Sequence, residues 1–229
     1  MGNSSSKLPE VNTRKPKNGI PTKVNMTFKQ IYTGTEFQLE IPPANPWSAR
    51  WLKLYPGMLQ FCEGTMRGDP MVMAAYPTED NDYAIQLPPR KGDKRAFLRV
   101  QNTSSGMVYL VEYTTESGEK YTFEWLRYHD AKDGSWRLKQ SIPAYGQSEY
   151  SQESVAKWIP GDQFKGELGY FEMCGDGPDG KFGEYFPLVA MATVLTIECT
   201  NNNNLCNQGR STDSSADGTS YYGSAGGMS

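Results

Sequence analysis

Between residues 26 and 200 the chain alternates apolar and polar positions in short runs, a pattern typical of β-strands with one buried face. The alternation is clearest over residues 107–113 and 120–126, two runs rich in aromatic and β-branched residues. A short loop that contains Gly118 joins them. Two such runs around a short glycine-containing loop predict a β-hairpin.

Further short runs of the same kind also predict strands, with Gly, Pro and Asp residues marking turns between them. They cover residues 35–41, 49–54, 57–62, 69–76, 83–87, 95–101, 135–139, 154–159 and 165–173. Many short strands at this spacing are typical of an antiparallel barrel or a two-sheet β-sandwich. The pattern alone leaves both architectures open, and it places the chain in the mainly β class.

Residues 186–197 are apolar on every side and contain only two polar residues, both threonine. Because a membrane-spanning helix needs about 20 apolar residues, this segment is predicted to be buried inside the protein. Its β-branched residues favour a strand, whereas Pro187 near its start and the Leu, Ala and Met residues favour a helix. A helix of this kind in an otherwise β chain would have to be enclosed by sheet.

The two ends of the chain differ in composition from this central part. Residues 1–25 are polar and contain three prolines, and residues 201–229 are rich in Asn, Ser and Gly. Such segments cannot bury enough apolar surface to offset the entropy of ordering, so both are predicted to be disordered. Residues 26–200 then form one β-rich domain.

The first seven residues, MGNSSSK, match the N-myristoylation pattern M-G-x-x-x-[ST], so Gly2 is the predicted attachment site. A Gly- and Ser-rich disordered terminus is the alternative interpretation. One myristoyl chain gives a membrane partition constant of only about 10⁴ M⁻¹, so stable anchoring needs a second signal. Basic residues close to an anionic leaflet supply roughly 1 kcal/mol each. The residues predicted to act in this way are Lys7, Arg14, Lys15 and Lys17. We therefore expect a peripheral protein on the cytoplasmic face of a membrane, with a cytosolic pool.

The charge and the motifs of the sequence argue against several classes of function. The net charge of −3 and the pI near 5.4 argue against nucleic-acid binding, which needs a basic face. The four cysteines lack metal-ligand spacing, so we predict neither a metal nor another cofactor. The single histidine, His129, has no nucleophile motif around it, and no phosphate or dinucleotide loop is present. We predict that the protein is not an enzyme; an enzyme that uses Cys62 or His129 is the lesser alternative.

Five short motifs occur in a familiar order: KYTFEW at 120–125, WRLK at 136–139, VAKW at 155–158, GELGYFE at 166–172 and the apolar segment 188–197. Their order resembles that of the small fungal tubby C-terminal-like domains, which are related to the LURP-one and scramblase group. The resemblance covers about residues 30–200. It implies a closed antiparallel barrel around a C-terminal hydrophobic helix, and therefore a helix at 186–197.

Tubby proteins bind phosphoinositide headgroups through basic residues on the barrel and act as membrane-tethered adaptors. This chain has no matching phosphoinositide motif, but one basic cluster of the core is a candidate for phosphate contact, with a solvated charged turn as the alternative. It consists of Lys91, Lys94, Arg95 and Arg99. The expected partners are a cytoplasmic leaflet with anionic lipids, a phosphoinositide, or a protein not identified by the sequence. A self-associating, matrix-type membrane coat is the alternative function.

Overall fold

The structure, a computed structural model, describes most of the central chain. The described residues are 11–31, 34–40, 47–52, 57–64, 70–78, 82–88, 94–103, 106–127, 134–144 and 147–201. Predictions for Gly2, Lys7, Lys91 and His129, and for residues 202–229, lie outside these ranges.

The described residues form β-strands that lead to a C-terminal helix, with one 3₁₀ turn (Gln163–Lys165) before the last strand. The strands are β1 (Lys23–Ile31), β2 (Gly34–Glu40), β3 (Trp47–Leu52), β4 (Met58–Glu63), β5 (Met71–Pro77), β6 (Tyr83–Gln86), β7 (Ala96–Thr103), β8 (Gly106–Thr114), β9 (Lys120–Arg127), β10 (Trp136–Ala144), β11 (Gln147–Pro160) and β12 (Glu167–Met173). The helix is α1 (Phe186–Asn201).

The twelve strands of the described chain close into one antiparallel barrel. Each strand pairs with its neighbours in sequence, and β1 also pairs with β12, with Met26 opposite Gly169. The predicted hairpin is present as β8 and β9, where Tyr113 lies opposite Tyr121. Closure confirms the predicted barrel and excludes the two-sheet sandwich.

Alternation along the strands fills the barrel with large apolar side chains. In β3, Trp47, Ala49 and Trp51 are buried, and the residues between them are half-buried. On the neighbouring strand β4, Phe61 lies opposite Ala49 and Leu59 lies opposite Trp51, and both are fully buried in the same core. The period of two therefore separates an interior face from an outer face in this part of the wall.

Residues 186–197 form a helix in the barrel interior, as the resemblance implied. All of them are buried, and those other than Pro187 are at most 1% exposed, although the helix has no apolar stripe. The rings of Tyr113 and Phe123 lie 5.8 and 4.5 Å from the ring of Phe186, at the start of the helix. Because sheet surrounds the helix, apolar side chains are required on every side.

Strand direction gives the barrel two distinct ends. At one end lie Glu63 of β4, Met71 of β5, Gln86 of β6 and Met173 of β12, together with the start of α1. We call this end the arm rim, because residues 11–22 cross it. The end of α1 and the 3₁₀ turn lie at the opposite rim.

Contacts with the barrel begin before residue 26, the predicted start of the β-rich domain. Strand β1 starts at Lys23, and residues 11–22, which we call the arm, contact the barrel. Thr13 in the arm is 3% exposed. The arm has no regular alternation and is rich in proline, so its contacts with the barrel leave no pattern in the sequence.

Candidate functional site: the arm and the rim it crosses

The arm runs across the ends of β6, β5 and β4 before it enters β1. The hydroxyl of Thr13 donates a hydrogen bond of 3.3 Å to the carbonyl of Leu87, just after β6. The amide of Arg14 donates to the carbonyl of Met71 at 2.8 Å. These bonds give the arm a defined path across the rim.

One carboxylate, that of Glu63 at the end of β4, holds the middle of the arm. It accepts the amide of Lys17 at 2.9 Å and the amide of Asn18 at 2.7 Å. The side-chain nitrogen of Asn18 donates to the same carboxylate at 2.8 Å. Hydrogen bonds to an ionised acceptor are stronger than neutral ones, so Glu63 is the main polar fastening of the arm.

The three predicted basic residues of the arm that the structure describes, Arg14, Lys15 and Lys17, are exposed. The ammonium group of Lys15 lies 3.0 Å from Glu184, which precedes α1, and this partner raises the pKa of Lys15. Within the described ranges, the side chains of Arg14 and Lys17 form no ion pair. Both side chains are exposed, so an external anion can reach them.

The predicted basic cluster near β7 is divided in the structure. Arg99 lies 2.7 Å from Asp82 and 3.2 Å from Glu112, so two carboxylates neutralise it. Arg95 lies 3.1 Å from Glu116. These two arginines are occupied by acidic partners of the protein itself.

Lys94 differs from the two arginines. It is exposed, and its ammonium group lies 5.4 Å from the centre of the Tyr76 ring. It precedes β7 at the rim that the arm crosses on β6, β5 and β4. The backbone of Lys94 therefore lies at the same rim as Arg14 and Lys17, while its ammonium group lies over Tyr76 on the wall of the barrel.

A groove of about 500 Å³ runs beside the second half of the arm. It is open to solvent and is lined by residues of the arm, β1, β2 and β12, among them Ile20, Lys23, Glu40 and Tyr170. Lys23 is not free in this groove, because its ammonium group lies 2.7 Å from Glu172. The pair raises the pKa of Lys23 and lowers that of Glu172.

Among the described residues, the thiols that could act as nucleophiles lie on β4 and directly after β12. Cys62 is half-buried on β4. The thiol of Cys174 donates to the carbonyl of Ser154 at 3.1 Å, and burial raises its pKa, which disfavours the reactive thiolate. In the part of the chain that the structure covers, no group of three His, Cys, Asp or Glu side chains is placed to hold a metal ion.

The opposite rim carries exposed apolar side chains. Phe164 in the 3₁₀ turn is fully exposed, and Met107 at the start of β8 is 57% exposed. Among the described elements, no helix combines the length and apolar composition that crossing a bilayer requires.

Sequence reasoning missed the residues that fasten the arm. Glu63 and Glu184 lie 46 and 169 positions from their partners Lys17 and Lys15, so no local pattern connects them. It also missed an apolar cluster on the outside of the barrel, described below. In β5, Met71, Ala74 and Tyr76 are apolar at positions where alternation would place outward-facing polar residues. This was the sequence signal for the cluster.

Comparisons with protein-family models, with curated proteins and with solved structures found no match.

Proposed function

We propose that this protein is a non-enzymatic, N-myristoylated peripheral membrane protein. Its barrel acts as an adaptor that binds a lipid headgroup or a protein partner at the cytoplasmic face of a membrane. Gly2 carries the acyl chain, and cations of the arm rim contact anionic lipids. The observation that carries the proposal is the placement of exposed Arg14 and Lys17 on the arm rim, a few positions along the chain from Val11, the first described residue after the acylation signal.

Chain length supports a joint action of the acyl group and the rim. Gly2 and Val11 are nine positions apart, so the extended chain between them spans at most about 30 Å. When the acyl chain is inserted, the rim is held near the leaflet, where cations act within a Debye length of about 8 Å. The arm contacts with Thr13, Arg14 and Glu63 then limit how far the barrel can turn away.

We also propose that the domain is a tubby-like barrel, since the closed barrel around a C-terminal helix is the architecture that the motif order implied. Within this proposal a phosphoinositide is one ligand to test, and Lys94 on the arm rim is the residue of the predicted phosphate cluster that we favour. Arg95 and Arg99 are less suited to this role, because carboxylates already neutralise them.

The first experiment follows a clickable myristate analogue in cells that express the tagged full chain or its Gly2→Ala variant. We expect label on the unaltered chain only, and we expect the variant to move from the membrane fraction to the soluble fraction. Absence of label, or membrane association that does not depend on Gly2, would overturn the proposal.

The second experiment measures binding of the acylated chain to vesicles with and without anionic lipid. Replacing both Arg14 and Lys17 by Gln is expected to weaken binding to anionic vesicles roughly 10- to 30-fold. The matched control replaces Lys29 and Lys165 by Gln, which removes the same charge from exposed positions away from the arm rim. Equal effects of the two double variants would exclude the arm rim as the membrane-facing surface.

A third measurement distinguishes orientation and assembly. If the opposite rim faced the membrane, Phe164→Ser would weaken vesicle binding while the arm variants would not. Sedimentation velocity over a concentration series tests the matrix-type alternative, which requires self-association of the acylated chain. A monomer at all concentrations favours the adaptor.

A further inference from the structure

A second apolar cluster lies on the outside of the barrel. Its buried members are Met58 on β4, Ala74 and Tyr76 on β5, and Ala84 on β6, and we call it the outer cluster. Their neighbours in sequence, among them Leu59, Ala75 and Ile85, belong to the interior core. Because successive strand residues point to opposite faces, the outer cluster faces away from the interior.

The outer cluster is covered. None of its four side chains is more than 3% exposed. Outward positions elsewhere on the barrel differ, since Gln38 and Glu40 on β2 are exposed. Part of the cover comes from partly buried residues at the edge of the cluster, which are Val11, Leu52, Met71 and Phe97.

Small and aromatic side chains alternate across the outer cluster. Ala84 on β6 lies opposite Tyr76 on β5 and opposite Phe97 on β7. The guanidinium of Arg99 lies 4.9 Å from the centre of the Phe97 ring, as Lys94 does near Tyr76 at 5.4 Å.

Tyr76 supplies a second, independent observation. The residue is 2% exposed, and its hydroxyl oxygen is buried without a hydrogen-bond partner in the described part of the chain. A buried hydroxyl without a partner costs free energy, so such groups usually meet an acceptor. This hydroxyl could donate to a carbonyl of a segment that lies over the cluster.

The arm leads directly to this surface. Val11 packs against the outer cluster, and its amide donates to the side-chain oxygen of Gln86 on β6 at 3.4 Å. The side-chain nitrogen of Gln86 donates in turn to the carbonyl of Val11. Residues 1–10 therefore start at the edge of the cluster, and three strand spacings of about 4.8 Å are well within their reach.

We propose that residues 1–10, together with the acyl chain on Gly2, dock on the outer cluster when the protein is away from the membrane. This inference rests on the proposed acylation. The outer cluster is then an internal acceptor site for a saturated acyl chain, and it competes with the bilayer for that chain. If roughly nine in ten of the molecules off the membrane are in the docked form, the apparent constant for partition into the membrane falls about tenfold.

Methionine-methyl NMR of the acylated and non-acylated full chain tests the inference. Met58 lies in the outer cluster, and Met73 lies in the interior core on the neighbouring strand, so it is the internal control. We expect acylation to shift the Met58 methyl signal and to give contacts between the acyl methylenes and this methyl group. The Met73 signal should not change. An acylated chain whose Met58 signal equals that of the non-acylated chain would overturn the inference.

A variant with a larger side chain in the middle of the outer cluster gives an independent readout. Ala84→Leu is expected to displace the acyl chain and to raise partition into neutral vesicles up to about tenfold. Gln38→Leu adds the same side chain to the outer face of β2 and should leave partition unchanged. Equal partition of the two variants, each with native near-ultraviolet circular dichroism, would contradict the inference.

The outcomes separate the two proposals. Label on Gly2 and Gly2-dependent vesicle binding without a Met58 response would leave the proposed function intact and refute the docking site. A chain that an N-myristoyltransferase does not acylate would refute both, because the docked group would not exist.

Discussion

The indole nitrogen of Trp158 on β11 donates a hydrogen bond of 2.9 Å to Oε1 of Glu198, in the last turn of α1. The bond ties the barrel wall to the end of the enclosed helix. Burial raises the pKa of the Glu198 carboxyl, and the Trp158 bond and the charge of Arg127 offset this only in part. The partial negative charge at a helix C-terminus also disfavours a carboxylate at this place.

Glu198→Gln should therefore stabilise the protein at neutral pH, because the amide keeps an acceptor for Trp158 and carries no charge. In the unaltered chain, folding raises the pKa of Glu198 above its unfolded value. The unfolded state then releases the proton first as pH rises, so this residue's contribution to the free energy of unfolding falls between the two pKa values. Urea unfolding at a series of pH values should show a flatter profile for the variant over that range.

Glu119→Gln is the control for loss of one carboxylate, since Glu119 is exposed at the arm rim. It should have little effect on unfolding. A destabilised Glu198→Gln variant at neutral pH would mean that the ionised carboxylate is favourable where it lies.

A second bond between the wall and the helix is fully buried. The indole nitrogen of Trp125 on β9 donates to the hydroxyl of Thr193 at 2.9 Å, and this hydroxyl donates to the carbonyl of Ala190. Thr193→Val preserves the shape but leaves the indole without an acceptor. We expect the free energy of unfolding to fall by about 1–3 kcal/mol.

The double-mutant cycle with Trp125→Phe isolates this bond from the packing change. Thr193→Val should cost less in the Trp125→Phe background than in the unaltered chain, as measured by urea unfolding. Equal costs in both backgrounds would show that the bond contributes nothing to stability.

For residues 186–197, burial could be predicted from the sequence, but the choice between helix and strand could not. Their uniform apolarity indicated complete burial, and the structure agrees, with Leu188 and Val194 fully buried. Periodicity cannot distinguish a buried strand from a buried helix when every side is apolar. The enclosing barrel decides between them, and its closure depends on the pairing of β1 with β12, whose paired residues are 140 or more positions apart.

Less of the candidate site than of the fold could be predicted from the sequence. Charge density predicted that Arg14 and Lys17 belong to a basic arm, and both are exposed. It could not show that Asp82 and Glu112 would neutralise Arg99, because pairing on neighbouring strands depends on register.

Arg99 is accordingly predicted to have a structural role rather than a role in binding phosphate. Its partner Asp82 is 8% exposed and also accepts the amide of Val100 at 2.9 Å. Arg99→Gln would leave this carboxylate without its cation, so we expect a loss of about 1 kcal/mol or more in the free energy of unfolding. Binding to anionic vesicles, measured well below the unfolding temperature, should not change.

Lys94→Gln is the comparison for Arg99→Gln. It removes one exposed charge at the arm rim and should weaken vesicle binding without a comparable loss of stability. A strong binding defect for Arg99→Gln in a fully folded protein would mean that Arg99 contacts phosphate, as the sequence predicted.

Fastening of the arm by Glu63 gives the last prediction. Glu63→Ala removes the acceptor of the Lys17 and Asn18 amides, so the middle of the arm should open more often. We expect at least about tenfold faster tryptic cleavage of the bond after Lys17, which corresponds to about 1.4 kcal/mol of local opening free energy. In the acylated chain this cleavage separates the barrel from Gly2, so the barrel should also leave the membrane fraction faster. Glu119→Ala, at the same rim but away from the arm, should match the unaltered chain in both rates. Cleavage after Lys17 at the same rate in both variants would show that Glu63 does not hold the arm in solution.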